Sequence, residues 1–175
     1  NSSYHTGNDT YTFWGPSPAM AWTIWDAGGN DTLAAGAVNQ YNNVTLDLRE
    51  GHYSQSPTIS GLTLAIAYGA IIENAIGGDG SDTLIGNDTN NHLDGGLGND
   101  SMTGGDGNYT YVVNAAGDVV TELAGQGTDT IIASVSYALP DQVDNLTLSG
   151  TLDATGAGNA LDNFLTGNAA NNSLS

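Results

Sequence analysis

Four glycines at a nine-residue step, Gly77, Gly86, Gly95 and Gly104, open four copies of one nonapeptide. A repeat this short confines the chain to a stack of near-identical units, none of which buries its apolar face alone. The copies read GGDGSDTLI, GNDTNNHLD, GGLGNDSMT and GGDGNYTYV, so the eighth position is always large and apolar: Leu84, Leu93, Met102, Tyr111. Six residues of glycine, Asp and Asn make a turn, and three with an apolar centre make a short strand. Helix signals are almost absent, so the class is all-β.

The turn composition points to calcium. Ca²⁺ takes about six to eight oxygens, mixing carboxylates with backbone carbonyls, and carbonyls converge only where side chains do not obstruct the backbone. Asp82 and Asp100 are eighteen residues apart. If one coil holds two nonapeptides, they stack on the same side and share an ion. Two copies match in full the pattern G-G-x-G-x-D-x-U-x of calcium-binding parallel β-helices. Charge agrees: one basic residue, Arg49, faces nineteen Asp and Glu, for a net charge of −18 in 175 residues. Repulsion of that size opposes a compact state unless cations neutralise it. Phosphate contacts require Lys and Arg, which excludes nucleic acid as a partner. No apolar run is long enough for membrane insertion, and the chain has no cysteine.

The stretch from about Trp22 to Met102 carries WTIWDAGGNDTL, LDLREGHYS and IAYGAIIENAIGG ahead of the nonapeptides. It resembles the C-terminal calcium-binding domain of the serralysin-type secreted metalloproteases. The part running from TYVVNAAGDVVTELAGQGTDTIIASVSYALP to GNALDNFLTGNAANNSLS is similar to repeat regions of haemolysin-type RTX exoproteins. The resemblance implies a right-handed parallel β-roll, folded by calcium outside a Gram-negative cell after type I secretion.

It also implies ligands. In the family's roll sites one turn gives its second and fourth carbonyls and its sixth-position carboxylate; the turn eighteen residues on gives its first and third carbonyls and its own sixth carboxylate. Carried over, the first site is Gly78, Gly80 and Asp82 with Gly95, Leu97 and Asp100. The opposite edge offers Asn87, Thr89 and Asn91 with Gly104 and Asp106, but Tyr109 stands where the family has Asp, so a weak or empty site is expected there. The WDAGGND string resembles a further pair of sites: Asp26, Gly28 and Asp31 for one, and Gly29, Asp31, Ile71 and Glu73 for the next.

Along the chain, residues 1–75 read as a β-sandwich-like N-terminal cap with calcium turns, 76–112 as the regular roll and 113–175 as a β-rich extension with degenerate nonapeptides. In the last part the nine-residue step returns at Gly158 and Gly167, with Asn163 and Asn172 in sixth place; an Asn ladder hydrogen-bonding up the solenoid fits them. Asp9, Asp118 and Asp129 are open between calcium and capping of their own turns. Trp14, Trp22 and Trp25 offer a sugar-stacking platform, but Trp22 and Trp25 are expected to pack the cap's core, and His5, His52 and His92 to be unliganded. A serralysin active site needs H-E-x-x-H, which this chain lacks; Glu50, His52 and the tryptophans would be the only candidates for an alternative centre in the cap.

The expected function is a non-catalytic secreted calcium-binding module that stabilises or presents an attached catalytic or effector domain. One alternative is the C-terminal part of a serralysin-type zinc protease, and, without an initiating Met, the chain reads as a fragment or mature piece. Another is a self-associating filament or surface-layer subunit, because solenoids normally need caps and the last nonapeptide closes at Ser175.

Overall fold

The computed structural model describes residues 5–13, 21–36, 43–56 and 63–175; Trp14 lies outside them. All regular elements among the described residues are strands, numbered along the chain. An eight-stranded sheet runs β1 (Thr10–Phe13), β3 (Thr32–Ala35), β7 (Asn74–Ile76), β9 (His92–Asp94), β11 (Thr110–Val113), β13 (Thr130–Ala133), β15 (Asn145–Leu148), β17 (Phe164–Thr166), parallel throughout. A second sheet takes β12 (Val119–Thr121), β10 (Ser101–Thr103), β8 (Thr83–Ile85), β4 (Thr45–Asp47), β5 (Tyr53–Gln55), β6 (Thr63–Ile66) and β2 (Ala21–Ile24) in that order. A third holds β14 (Tyr137–Ala138), β16 (Ala154–Ala157) and β18 (Asn172–Leu174). The chain alternates between the long sheet and its partners, which makes a parallel β-solenoid.

The nonapeptide sets this geometry. Its three-residue strand turns only the eighth position inward, and Leu84, Leu93, Met102 and Tyr111 are each 0% exposed. Leu84 pairs with Met102 and Leu93 with Tyr111 in parallel register, so equivalent positions stack at one coil per two repeats. The inward row of the long sheet reads Leu33, Ala75, Leu93, Tyr111, Ile131, Leu146, Leu165, an unbroken apolar ladder.

Strands from the first 75 residues run in the same two sheets as the roll. The departure there is β5, antiparallel to both β4 and β6. The link from Asp47 to Tyr53 is too short for a parallel crossover, and it reverses at Gly51, whose φ of 75° suits glycine. Trp22 and Trp25 do not pack a core: they are 57% and 60% exposed. Among the described residues β2 is the outermost strand of its sheet, and Trp25 follows directly after it.

Candidate metal centres at the edges of the roll

The turns fall on two edges. Those at 77–82, 95–100 and 114–118 follow strands of the long sheet; those at 26–31, 68–73, 86–91, 104–109, 122–129, 140–144 and 158–163 precede them. On both edges one hydrogen bond recurs: the backbone N–H of the sixth-position residue donates to the sixth-position side chain of the next coil. On the first edge, Val44 N–H donates to Asp82 Oδ1 (2.7 Å), Asp82 to Asp100 Oδ1 (2.8 Å) and Asp100 to Asp118 Oδ1 (3.0 Å). On the second, Asp9 donates to Asp31 Oδ1, Asp31 to Glu73 Oε2, Tyr109 to Asp129 Oδ1 and Asp129 to Asp144 Oδ2. One oxygen of each carboxylate is thus committed to holding coils together.

The second oxygen distinguishes the turns. In Asp82, Oδ2 accepts from Gly78 N–H at 2.6 Å. In Asp118, Oδ2 accepts from Asn114 and Ala115, both at 3.0 Å, a capping arrangement. In Asp100 and Asp31, Oδ2 is buried with no partner; with Glu122 Oε2 these are the three such side-chain atoms among the described residues. An orphaned buried oxygen is costly, and two of the three fall in the turns singled out from sequence.

Asp82 and Asp100 are each 2% exposed and lie in adjacent turns with Gly78, Gly80, Gly95 and Leu97. The backbones approach closely: a Cβ on Gly95 would lie 2.2 Å from Asp100 Oδ2, and one on Gly77 would lie 2.0 Å from the Gly95 carbonyl oxygen. The Leu97 side chain is 62% exposed, leaving its backbone to face the neighbouring turn, where its N–H donates to the Gly78 carbonyl. Burial, and then the carboxylates of Asp118, Asp82 and Asp94, push the Asp100 carboxyl up to about 7 against the pull of the Asp82 N–H. Burial raises Asp82 as well, with Asp79 adding to it. Carboxylates and carbonyls around an orphaned oxygen, walled by glycine, are the donor chemistry of a hard divalent cation, and Ca²⁺ fits this set.

The second cluster lies at the N-terminal end. Asp9, Asp26 and Asp31 each place an oxygen within 4.8 Å of the others. Tyr11 hydroxyl donates to Asp26 Oδ2, Gly28 N–H to Asp26 Oδ1 at 2.8 Å, and His5 Nδ1 lies 3.1 Å from Asp9 Oδ2. Burial raises the Asp31 carboxyl, with Asp26 and Asp9 adding to it. Gly29 stacks on Gly7, whose carbonyl oxygen a Cβ would meet at 2.1 Å. Asp31 N–H donates to Glu73 Oε2, and Ile71 is exposed in the same turn as Glu73. Asp9 was open in the sequence; the shared Gly-Asn-Asp-Thr string at 7–10 and 29–32 was the signal that these turns stack.

The opposite edge is built differently. Tyr109, 1% exposed, donates its hydroxyl to the Asn87 carbonyl, one of the oxygens the resemblance assigns to an ion. Its ring stacks on Tyr111 at 5.6 Å and fills the space beside Gly86. Thr89 donates its N–H and hydroxyl to Asn87 Oδ1, and Asn91 Nδ2 donates to the carbonyls of Ile72 and Glu73. Beside Gly104 the space belongs to Glu122, which accepts from the Tyr111 hydroxyl; Asp106 is exposed and meets Gln126. Glu122 follows an apolar strand outside the repeat phase, and no sequence signal marked it. Burial raises its carboxyl to about 7, with Asp129 and Asp144 adding to it.

His52 Nδ1 lies 3.6 Å from Asp47 Oδ2, but that carboxylate is gripped by Arg49 through Nε at 2.9 Å and Nη2 at 2.6 Å. Glu50 accepts from Gly69 N–H. Both acids near His52 are therefore tied to structural partners.

Residues 2–174 match the family described as the peptidase M10 serralysin C terminal. The chain is 42% identical over 81 residues to serralysin B of Dickeya chrysanthemi, covering 46% of this chain and 16% of that protein. It is 40% identical over 91 residues to a serralysin of Proteus mirabilis (51% and 18%), and 40% over 89 to one of Photorhabdus luminescens (51% and 18%). The matched part spans less than a fifth of each relative.

Proposed function

Because the chain belongs to the peptidase M10 serralysin C-terminal family, we propose that it is a non-catalytic, secreted calcium-binding β-roll module of a larger serralysin-type protein. It acts outside a Gram-negative cell, folds on meeting calcium after type I export, and stabilises or presents an attached catalytic domain. The first ion lies between the turns of Asp82 and Asp100, with carbonyls from Gly78, Gly80, Gly95 and Leu97. Further ions use Asp26, Gly28 and Asp31, then Gly29, Asp31, Ile71 and Glu73. The site of Asn87, Thr89, Asn91, Gly104 and Asp106 is closed by Tyr109.

The observation that carries this reading is Asp100 Oδ2, buried without a partner inside a glycine-walled cradle. A cation is the partner such an oxygen lacks, and binding an ion that the unfolded chain cannot hold converts metal affinity into folding free energy. Circular dichroism in chelator and in millimolar Ca²⁺ tests it. A large gain of β-signal with calcium is expected; identical spectra would sink the reading.

A further inference from the structure

The coils near the C-terminal end carry asparagine where the earlier turns carry aspartate. In 158–163 and 167–172 the second and sixth positions are Asn159, Asn163, Asn168 and Asn172. Asn159 Nδ2 donates to the carbonyls of Pro140 (2.6 Å) and Val143 (2.7 Å). Asn163 Nδ2 donates to those of Val143 (3.0 Å) and Asp144 (3.1 Å), and Asn168 Nδ2 to those of Ser149 and Leu152, both 3.0 Å. The backbone cradle is the same as in the calcium turns. A Cβ on Gly158 would lie 2.7 Å from Asn163 Oδ1, much as one on Gly95 would crowd Asp100.

Carbonyls of the coil below need a partner in either case. In the aspartate turns a cation supplies it; a carboxamide carries two donors of its own. The two solutions coexist within the chain, since Asn87 and Asn91 bridge to Ile72 and Glu73 in the same way at the opposite edge, and Asn114 donates to the Gly96 carbonyl. Beyond residue 144 the amides of Asn159, Asn163 and Asn168 take the carbonyls of the neighbouring coil, and no orphaned side-chain oxygen is found among residues 130–175. The segment forms three coils, β13 with β14, β15 with β16 and β17 with β18, which share Ile131, Leu139, Val143, Leu146 and Leu148 as core. About three stacked repeats are the minimum for a self-supporting solenoid.

We propose that asparagine amides take the place of calcium between the coils of residues 130–175, so that this part stays folded at calcium concentrations where the coils of Asp31, Asp82 and Asp100 are open. The proposal rests on the calcium reading of those aspartates.

Amide hydrogen exchange on the full 175-residue chain, in chelator and in millimolar Ca²⁺, tests it. In chelator the amides of β8 to β10 should exchange at the unstructured rate, while those of Leu146 and Phe164, the latter bonded to the Asp144 carbonyl, stay at least about tenfold slower. Loss of protection along the whole chain overturns the proposal and leaves the calcium reading standing; protection retained everywhere overturns both. Asn163→Asp removes the two amide donors with little change of shape. Protection of Leu146 and Phe164 in chelator should then fall to the unstructured rate, and its persistence in that variant would show that the amide is not the fastener.

Discussion

The N–H of Asp82 donates to Oδ1 of Asp100 across one coil at 2.8 Å, and the other Asp100 oxygen is left buried and alone. These two oxygens have separable roles. Asp100→Asn keeps the coil-to-coil acceptor and removes the charge from the orphaned position. The variant should hold its β-structure in chelator at least as well as the parent, while its calcium midpoint rises about tenfold or more. Leu97→Ala alters only an exposed side chain and should leave the midpoint in place. Circular dichroism titrations of both decide it; a silent Asp100→Asn would place the ion elsewhere.

Gly95 tests the cradle. A Cβ there would meet Oδ2 and Cβ of Asp100 at 2.2 and 2.6 Å, too close for either to stay. Gly95→Ala should cost about 1–3 kcal/mol in calcium, as overpacking does. Gly7→Ala, whose Cβ meets nothing within 4 Å, is the control. Thermal melts at fixed calcium compare them.

The carboxyls of Asp100 and Glu122 are held up at about 7 by burial. An acid whose folded pKa exceeds its unfolded value stabilises the fold while protonated; the benefit is complete below the unfolded value and is lost as pH rises through the folded one. The β-content retained in chelator should therefore increase as pH falls from 8 to 5. Calcium needs the carboxylate, so its midpoint should weaken over the same window. Calcium midpoints that do not move between pH 8 and 5 would contradict the assignment of Asp100 as a ligand.

Much of this was legible in the sequence because a nine-residue period leaves little freedom. It set which side chain points inward, as Leu84 and Met102 show, and which aspartates stack, as Asp82 and Asp100 show. What it could not convey was order within a sheet. Trp22 reads as core, but among the described residues β2 pairs with β6 alone and Trp22 is exposed. Glu122 was hidden because it breaks the repeat phase, and the role of Asn159 and Asn168 because Asn and Asp suit the same turn while offering the cradle opposite chemistry. Tyr109 was read as a missing ligand. In the structure its hydroxyl takes the Asn87 carbonyl instead.

That hydrogen bond yields the last expectation. Tyr109→Phe keeps the stack on Tyr111 and removes the hydroxyl that donates to the Asn87 carbonyl, so it should cost about 1–3 kcal/mol at any calcium level. Tyr109→Asp has two effects. It empties the space beside Gly86, costing about 3–5 kcal/mol as large-to-small core changes do, and it returns a carboxylate to a turn that already presents the Asn87 carbonyl. In chelator the aspartate variant should melt well below the parent; in millimolar calcium the gap should narrow, which the phenylalanine variant cannot match. Melts in which both variants lose the same stability with and without calcium would mean that the phenol is core and nothing more.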